Sequence, residues 1–316
     1  MRRAYWELHI AIILFGFTAI LGKLISVSEG PLVWYRLLFT CPSLYLILLI
    51  QKKSLKIPLR NILSMGFIGV LIALHWVTFY GSIKASNASI TLSCLAATPL
   101  FTSVLEPLIT GRKFRWYEAF IALCVGVGMY QIILATDSET FNRMATQGLT
   151  HKYGKGIILG LLSALLASGF SVLNKKLIIN QDTYIVTFYE LSAGWILLSL
   201  TLPIYQYLNP DTQWVFTGLD WVWLPILAIV CTTLAYTLSL NSLRHISAFT
   251  ANLSINLEPV YGILLAYFIL QEGQELNERF YWGAAILLST VIIFPLIEKI
   301  SLRKSTIVEG IVETKP

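Results

Sequence analysis

The sequence predicts an all-α integral membrane protein of ten transmembrane helices, arranged as an inverted repeat of five plus five with both termini cytoplasmic. Three observations support this prediction: the composition, the recurrence of long apolar runs, and internal similarity between the two halves. Of the 316 residues, 56% are hydrophobic and 13% are charged, and the mean hydropathy is +0.70. A soluble domain is charged at roughly 25% of its positions. The composition therefore excludes a soluble enzyme, a disordered chain and a nucleic-acid-binding domain.

Continuous apolar runs of spanning length recur along the chain. A membrane-crossing helix needs about 20 mostly apolar residues, whereas a barrel strand alternates apolar and polar residues over about ten positions. The runs are continuous and therefore favour helices. The predicted spans, numbered 1 to 10 below, cover approximately residues 6–25, 31–51, 60–81, 87–110, 115–134, 156–176, 184–203, 220–240, 245–270 and 279–298.

The N-terminal run and the cysteines carry no separate function. Arg2 and Arg3 precede span 1 as in a signal peptide, but no small-residue cleavage site follows, so a retained signal anchor is predicted. The cysteines lie within apolar runs and show no CxxC spacing, which argues against a zinc site or disulfides. They are Cys41, Cys94, Cys124 and Cys231.

The distribution of basic residues predicts the orientation of the spans. Cytoplasmic loops are enriched in Lys and Arg, and most of the 23 basic residues share one side of the membrane if the N-terminus is cytoplasmic. The opposite side receives only Lys84, Arg143, Lys152, Lys155 and Arg279. The net charge of +6 is thus an orientation signal, with contact to anionic lipid as a second role.

Two pairs of segments match when one half of the chain is laid on the other. At a shift of 160 residues, SIKASNASITLSCLAATPLF from Ser82 aligns with SLRHISAFTANLSINLEPVY from Ser242. At a shift of 153 residues, FGFTAILGKL from Phe15 aligns with SGFSVLNKKL from Ser168. Span 1 thereby pairs with span 6, and span 4 with span 9. Because each half has an odd number of spans, the second half is predicted to lie inverted, a plan common in secondary transporters.

The chain resembles the EamA-type transporters of the drug/metabolite transporter superfamily over about residues 6–298. Each EamA repeat typically has a small-residue stretch, a proline in mid-helix and a glutamate after the helix. The first repeat departs from this pattern, because Gly111 and Arg112 stand where the glutamate is usual. The motifs that carry the resemblance are HWVTFYGSIKASNASI from His75, LEPLITGRK from Leu105 and SAFTANLSINLEPVYGILLAYFILQE from Ser247 to Glu272.

This resemblance implies a secondary transporter in the cell (inner) membrane that exports amino acids or related small metabolites by alternating access. Among relatives, both proton-linked export and exchange occur. The two halves would rock about a cavity lined chiefly by spans 3, 4, 8 and 9, with contributions from spans 1, 2, 6 and 7 and with spans 5 and 10 as scaffold. The implied division is a first repeat at 6–134, an extracytoplasmic linker at 135–155, a second repeat at 156–298 and a cytoplasmic tail at 299–316.

Glu258 is the most notable acid within a span. A charge inside the membrane costs at least ~2.5–3.5 kcal/mol, and Glu258 lies roughly 18 Å from the outer end of span 9 at 1.5 Å per residue. Pro259 removes a backbone donor next to it, Asn252 and Asn256 share one helix face, and Tyr261 follows. Glu258 is predicted to bind a proton or a substrate ammonium. The alternative is a structural glutamate bonded to a neighbouring helix.

Arg36 and an aromatic group on span 3 complete the predicted site. Arg36 lies within VWYRLLF, and its planar fork suits a carboxylate; an interfacial arginine held by lipid headgroups is the alternative. His75, Trp76 and Phe79 are predicted to wall the cavity, although a lone histidine on an apolar helix also serves as a structural residue.

Two prolines and two further acids receive predictions of their own. Pro99 and Pro259 match at the 160-residue shift and are predicted hinges, since proline kinks a helix. Glu106 is predicted to pair with Arg112 or Lys113 near the inner face. Glu190 is predicted to pair there with Lys175 or Lys176.

Two rival functions are a polytopic membrane enzyme and a passive channel. No span contains a pair of aspartates, and no HExxH or nucleophile-elbow motif occurs. A repeated filter or ring of charge, as in channels, is also absent from the sequence. We therefore expect no catalytic residue, cofactor, metal site or nucleic-acid partner. The expected partners are a small-molecule substrate, membrane lipid and, as coupling ion, protons; a monomer and a homodimer are both compatible with the sequence.

Overall fold

A computed structural model describes residues 2–86, 88–136, 154–262, 265 and 278–313 of the chain. All regular elements among these residues are helical. The predicted linker 135–155 lies almost wholly outside the described residues, as do the end of span 9 and the loop that follows it.

The helices of the first half correspond to spans 1 to 5. They are α1 (Arg2–Leu24), α2 (Glu29–Ile50), α3 (Leu59–Ala85), α4 (Ala88–Leu95), α5 (Thr98–Thr110) and α6 (Trp116–Thr136). In the second half, a single π-helical turn, Ile229–Leu234, interrupts span 8 between two α-helices. The helices of that half are α7 (Gly154–Leu177), α8 (Thr183–Leu208), α9 (Asp220–Ala228), α10 (Ala235–Ser242), α11 (Ala248–Ile255) and α12 (Glu278–Glu313).

Among the described residues, seven helices are long and apolar enough to cross a membrane, and Trp116–Ile132 is a shorter apolar helix. Large apolar side chains such as Leu108, Trp116, Leu200 and Ile292 are exposed on the outer surface of the bundle. Such a surface suits lipid and not water. The chain is therefore a multi-pass membrane protein, and the count of ten spans stays a prediction.

Spans 4 and 9 are broken at matching positions. Helix α4 ends at Leu95 and α11 at Ile255, which are 160 residues apart, and helical structure resumes at Thr98 and Glu258. The same hydrogen bonds cross both breaks, from Ala97 N–H to the Cys94 carbonyl and from Leu257 N–H to the Ser254 carbonyl. The cause is a proline one residue into each second segment, which lacks the N–H that an unbroken helix needs.

The halves pack against each other in a reciprocal pattern. Helix α1 of the first half lies along α9 and α10 of the second, just as α7 of the second half lies along α3 of the first. Helices α2 and α8, which are spans 2 and 7, pack together, and so do α6 and α12, which are spans 5 and 10.

Charged and polar contacts tie one set of loops together. Lys53, after α2, forms an ion pair of 2.6 Å with Asp182, which caps the start of α8. Arg244, after α10, donates a hydrogen bond to the Gln181 carbonyl. The loops after spans 2, 6 and 8 therefore lie at one end of the bundle.

The opposite set of loops forms a second group. Lys84, at the end of α3, donates to the Val27 carbonyl at 2.8 Å, and the Ser28 amide donates to the Gln213 carbonyl at 3.0 Å. These contacts place the loops after spans 1, 3 and 7 at the other end.

The C-terminal helix is longer than predicted. Span 10 was expected to end at residue 298 before a tail, but α12 continues as helix to Glu313. The described part of this region contains no proline after Pro295, so no residue removes a helical backbone donor there.

Glycines allow the closest approach between the halves. A Cβ atom built on Gly69 of α3 would lie 1.9 Å from the Glu190 backbone oxygen of α8. Small residues let membrane helices meet along their backbones in this way. Gly126, by contrast, has open space around it.

We expect Gly69→Ala to destabilise the protein by about 1–3 kcal/mol or more, because α3 and α8 must move apart. Gly126→Ala is the matched control and should be neutral or slightly stabilising, since alanine favours helix. Thermal unfolding in detergent, followed by tryptophan fluorescence, measures both. Equal melting temperatures for the two variants would contradict the packing described above.

Candidate functional site

A cavity of about 130 Å³ lies in the middle of the bundle, between helices of both halves. Because one water needs only about 10–15 Å³ on this measure, the space accommodates a small organic molecule. Described residues of spans 1, 2, 3, 4, 6, 8 and 9 line it, and none of spans 5, 7 or 10 does. Spans 3, 4, 8 and 9 therefore supply walls as predicted, and spans 5 and 10 stand outside.

Arg36 is the cation of the cavity and is only 2% exposed. Its Nε donates to Thr232 Oγ1 at 2.6 Å, Nη1 to the Tyr80 hydroxyl at 3.1 Å and Nη2 to the Cys231 carbonyl at 3.4 Å. Its guanidinium carbon also lies 4.1 Å from the centre of the Trp76 ring. These contacts orient the group from several sides.

The Arg36 guanidinium keeps unused hydrogen-bonding capacity. Arginine has five N–H donors, so the three bonds leave one N–H on each terminal nitrogen without a partner among the described residues. No described carboxylate lies within 4.0 Å of it. One N–H on each terminal nitrogen is thus available to an acceptor such as a carboxylate.

The π-helical turn of span 8 supplies two of the groups that bind and orient the Arg36 side chain. The turn contains both Cys231, whose carbonyl accepts from Arg36, and Thr232, whose hydroxyl donates to the Leu227 carbonyl at 2.7 Å. Single π-helical turns often occur at functional sites, because the extra residue redirects carbonyls out of the helix. Sequence analysis missed this feature, and we find no signal in the sequence that would have revealed it.

Glu258 lies at the break of span 9 and lines the same cavity. Its side chain is partly exposed to the cavity, and no hydrogen bond or ion pair to another described residue engages its carboxyl group. Pro259 beside it also lines the cavity. The equivalent position in the first half is Thr98, again a lining residue. The cavity therefore contains one cation and one acid with free bonding capacity.

Aromatic rings form an apolar wall between these groups. Trp76 and Phe79 of α3, Phe15 of α1 and Phe170 of α7 all line the cavity. A cavity with apolar walls and a few placed polar groups is typical of a small-molecule site.

His75 has both of the roles considered for it. It lines the cavity, and its Nδ1 lies 2.9 Å from the Ser163 carbonyl oxygen and 2.8 Å from the Ser163 hydroxyl. These contacts attach α3 to α7. The ring also meets Phe170 edge-on at 5.4 Å between centroids.

The two predicted asparagines line the cavity beside Glu258. Asn252 donates to Thr102 Oγ1 at 2.8 Å, and Thr102 donates to Ser168 Oγ at 2.9 Å, so this chain of bonds joins spans 9, 4 and 6. Asn256 donates to the Asn252 carbonyl at 3.1 Å. Both amides thereby stabilise the broken helix while facing the site.

Two predicted site residues are not among the residues that line the cavity. Tyr261 packs against the hydrophobic core. Pro99 lies at the break of span 4 beside Thr98, as a predicted hinge should, without facing the cavity.

The ion pairs predicted for Glu106 and Glu190 have different outcomes. Glu106 pairs with Arg112 at 3.1 Å, which confirms that prediction, and it also accepts from the Phe249 amide at 3.1 Å. The predicted pairing of Glu190 with Lys175 or Lys176 is wrong. Helix α8 turns Glu190 into the bundle, where it bonds to Tyr236 and Asn174.

No group of three or more described His, Cys, Asp or Glu side chains is arranged to hold a metal ion.

Known proteins of similar sequence and of similar fold can be compared with this chain. The "Uncharacterized transporter YxxF" of Bacillus subtilis (strain 168) is 24% identical over 268 residues, covering 82% of this chain and 79% of that protein. A crystal structure, described only as that of a protein, matches with a TM-score of 0.74 and 16% identity, covering 93% of this chain and 96% of the other.

The family comparison is the most specific. The profile of the EamA-like transporter family matches this chain twice, at residues 3–134 and again at residues 154–295. Together the two matches cover most of the sequence, one in each half. The chain therefore belongs to the EamA-like transporter family, within the drug/metabolite transporter superfamily, and is a membrane transporter.

Proposed function

We propose that this transporter exports small zwitterions, such as amino acids or related metabolites, by alternating access. The observation that carries the proposal is the presence of Arg36 and Glu258 in one cavity, each with free bonding capacity. A buried charge without a partner is costly. A ligand that brings a carboxylate and an ammonium would satisfy both charges at once.

The cavity supports a specific mode of binding. The substrate carboxylate accepts the two free N–H groups of Arg36, and the substrate ammonium donates to Glu258. The side chain of the substrate lies against the aromatic wall of Trp76, Phe79 and Phe170. Both charged contacts form in a site of low dielectric constant, where they discriminate strongly against a substrate that lacks either group.

The packing pattern supports an inverted arrangement of the two halves. A two-fold relation that exchanges span 1 with 6 and span 3 with 8 converts the pair 1–8 into the pair 6–3, and both pairs are in contact. The matched breaks of spans 4 and 9 fit the same relation. In this proposal the units are 6–134 and 156–298, and 135–155 links them outside the cell.

In this proposal the protein lies in the inner membrane of the cell, and both termini are on the cytoplasmic side. The ion pair of Lys53 with Asp182 supports this, because it brings the basic loops after spans 2 and 6 to one end. A reagent that cannot cross the bilayer should then label cysteines placed at Lys53 and Lys176 from the same side. Labelling from opposite sides would refute the orientation.

Alternating access would use the two helix breaks as hinges. At each break an i→i−3 hydrogen bond, from Ala97 to Cys94 or from Leu257 to Ser254, interrupts the regular α-helical pattern, so bending there costs less than in an unbroken helix. Pro99 and Pro259 fix the position of the bend. Rocking about them opens the cavity first to the cytoplasm and then to the outside.

Counterflow in liposomes tests the proposal. Purified protein is reconstituted, the liposomes are loaded with one unlabelled compound, and uptake of a labelled amino acid is followed. A panel of amino acids should give counterflow, whereas the matching methyl esters and N-acetyl derivatives should give at least about tenfold less, because each lacks one charge. Equal counterflow with esters or N-acetyl derivatives would refute recognition of zwitterions.

A further inference from the structure

Glu190 lies immediately behind the cavity wall and has no part in the binding mode above. Its side chain is completely buried. The Tyr236 hydroxyl donates to Oε2 at 2.8 Å, and the Asn174 amide nitrogen lies 3.4 Å from the same oxygen and 2.9 Å from the Tyr236 hydroxyl. Tyr236 and Asn174 line the cavity, whereas Glu190 does not. These two side chains therefore separate the carboxyl group from the transport site.

Two oxygen atoms in this cluster are buried without a donor. Oε1 of Glu190 and Oδ1 of Asn174 have no hydrogen-bond partner among the described residues. Buried acceptors are almost always satisfied in folded proteins, so the pair indicates a donor that the protein backbone and side chains do not supply. A proton on Oε1 is the simplest one, because it turns an acceptor into a donor.

The surroundings of Glu190 offer no compensating positive charge. No described Lys, Arg or His nitrogen lies within 4.0 Å of its carboxyl group. Lys175, next to Asn174, turns away and donates to the Leu243 carbonyl at 2.6 Å. Gly69 of α3 packs against the Glu190 backbone, and α10 contributes the hydroxyl of Tyr236 to the carboxyl group. An ionised Glu190 would thus be an isolated buried charge, which is strongly unfavourable.

Besides Tyr236, the titratable groups among the described residues that line the cavity are Arg36, His75 and Glu258. Arg36 is engaged by Thr232, Tyr80 and the Cys231 carbonyl, and His75 by Ser163. None of them is hydrogen-bonded to Glu190. The cluster of Glu190, Tyr236 and Asn174 is therefore separate from the charged groups that we assign to substrate binding.

We propose that Glu190 carries a proton in this conformation and exchanges it with the cavity past Tyr236, which couples transport to the proton gradient. Release transfers one proton to cavity water and leaves a carboxylate; uptake is the reverse. The carboxylate would draw water between Tyr236 and Asn174 and so destabilise the closed wall. Protonation thus selects the conformation described above, and such differential binding is what couples an ion to a conformational change.

The proposal rests on the zwitterion transport proposed above, so its test separates the two. Glu190→Gln keeps a carbonyl acceptor for Tyr236 and has an amide group that cannot take up or release a proton in this range of pH. In liposomes with a pH gradient, wild-type protein should accumulate labelled substrate above its external concentration, whereas Glu190→Gln should only equilibrate it. Counterflow without a gradient should stay within about twofold of wild type. Wild-type accumulation by Glu190→Gln, or accumulation driven by sodium instead of protons, would overturn the proposal.

A second measurement needs no substrate. The infrared spectrum of purified wild-type protein should contain the carbonyl band of a protonated buried carboxyl group, and this band should be lost in Glu190→Gln and retained in Glu278→Gln, which is exposed. If counterflow fails for every zwitterion but the band behaves in this way, the transport proposal is wrong and the proton site stands. Absence of a band that depends on Glu190 refutes the proton site itself.

Discussion

Glu258→Gln is expected to lower kcat/KM for a zwitterion by at least about 100-fold, because the substrate ammonium would meet a neutral amide inside the cavity. Breaking one partner of a buried charge pair costs about 3–5 kcal/mol, and each 1.4 kcal/mol corresponds to a factor of about ten. The substitution conserves shape, and Glu258 bonds to no other described side chain, so folding should be preserved. Counterflow of labelled amino acid measures the effect.

Glu278→Gln is the matched control for Glu258→Gln. Glu278 is exposed at the start of α12 and accepts a hydrogen bond only from Trp282, at 3.1 Å, among the described residues. The control should transport like wild type. Transport by Glu258→Gln at the normal rate across pH 5–8 would exclude both binding of the substrate ammonium by Glu258 and the alternative prediction that Glu258 binds the coupling proton.

Arg36→Ala is expected to raise the apparent KM for a carboxylate-bearing substrate by about 10- to 100-fold, since charge-assisted hydrogen bonds contribute about 1.5–3 kcal/mol. The loss should be much smaller for the methyl ester of the same compound, which has no carboxylate to bind. Size-exclusion chromatography checks folding, because Tyr80 and Thr232 lose their partner in this variant.

Arg36→Lys separates charge from geometry. Lysine keeps the positive charge but loses the planar fork and the stacking over Trp76. We expect an apparent KM between those of wild type and Arg36→Ala. Unchanged kinetics in both variants would exclude Arg36 from the site and favour a purely structural arginine that holds span 2 to the π-helical turn of span 8.

Membership of the transporter family bears on the rival functions. A polytopic enzyme and a passive channel remained as alternatives from the sequence, and the match of both halves to the EamA-like family points to a transporter. The substrate class and the coupling of transport to protons are proposals, because the Bacillus subtilis relative is itself described only as a transporter. The variants of Arg36, Glu258 and Glu190 test these proposals separately.

Composition and periodicity in the sequence determined the class of protein, the approximate positions of the helices and the repeated proline of spans 4 and 9. These features depend on local preferences: apolar length for a membrane-crossing helix and a missing N–H at proline. The charge cost of membrane burial also made Arg36 and Glu258 candidates before any contact was known.

Tertiary packing alone decided which polar groups share a cavity and which are paired. Glu190 shows the limit most clearly, because its predicted place near the inner face suggested an ion pair with Lys175 or Lys176, whereas the rotation of α8 buries it against Tyr236 and Asn174. The orientation of the Arg36 side chain likewise depends on contacts with a π-helical turn about 195 residues away in sequence. Rotation about a helix axis and local changes of helix type arise from contacts between helices, and no local pattern in the chain encodes them.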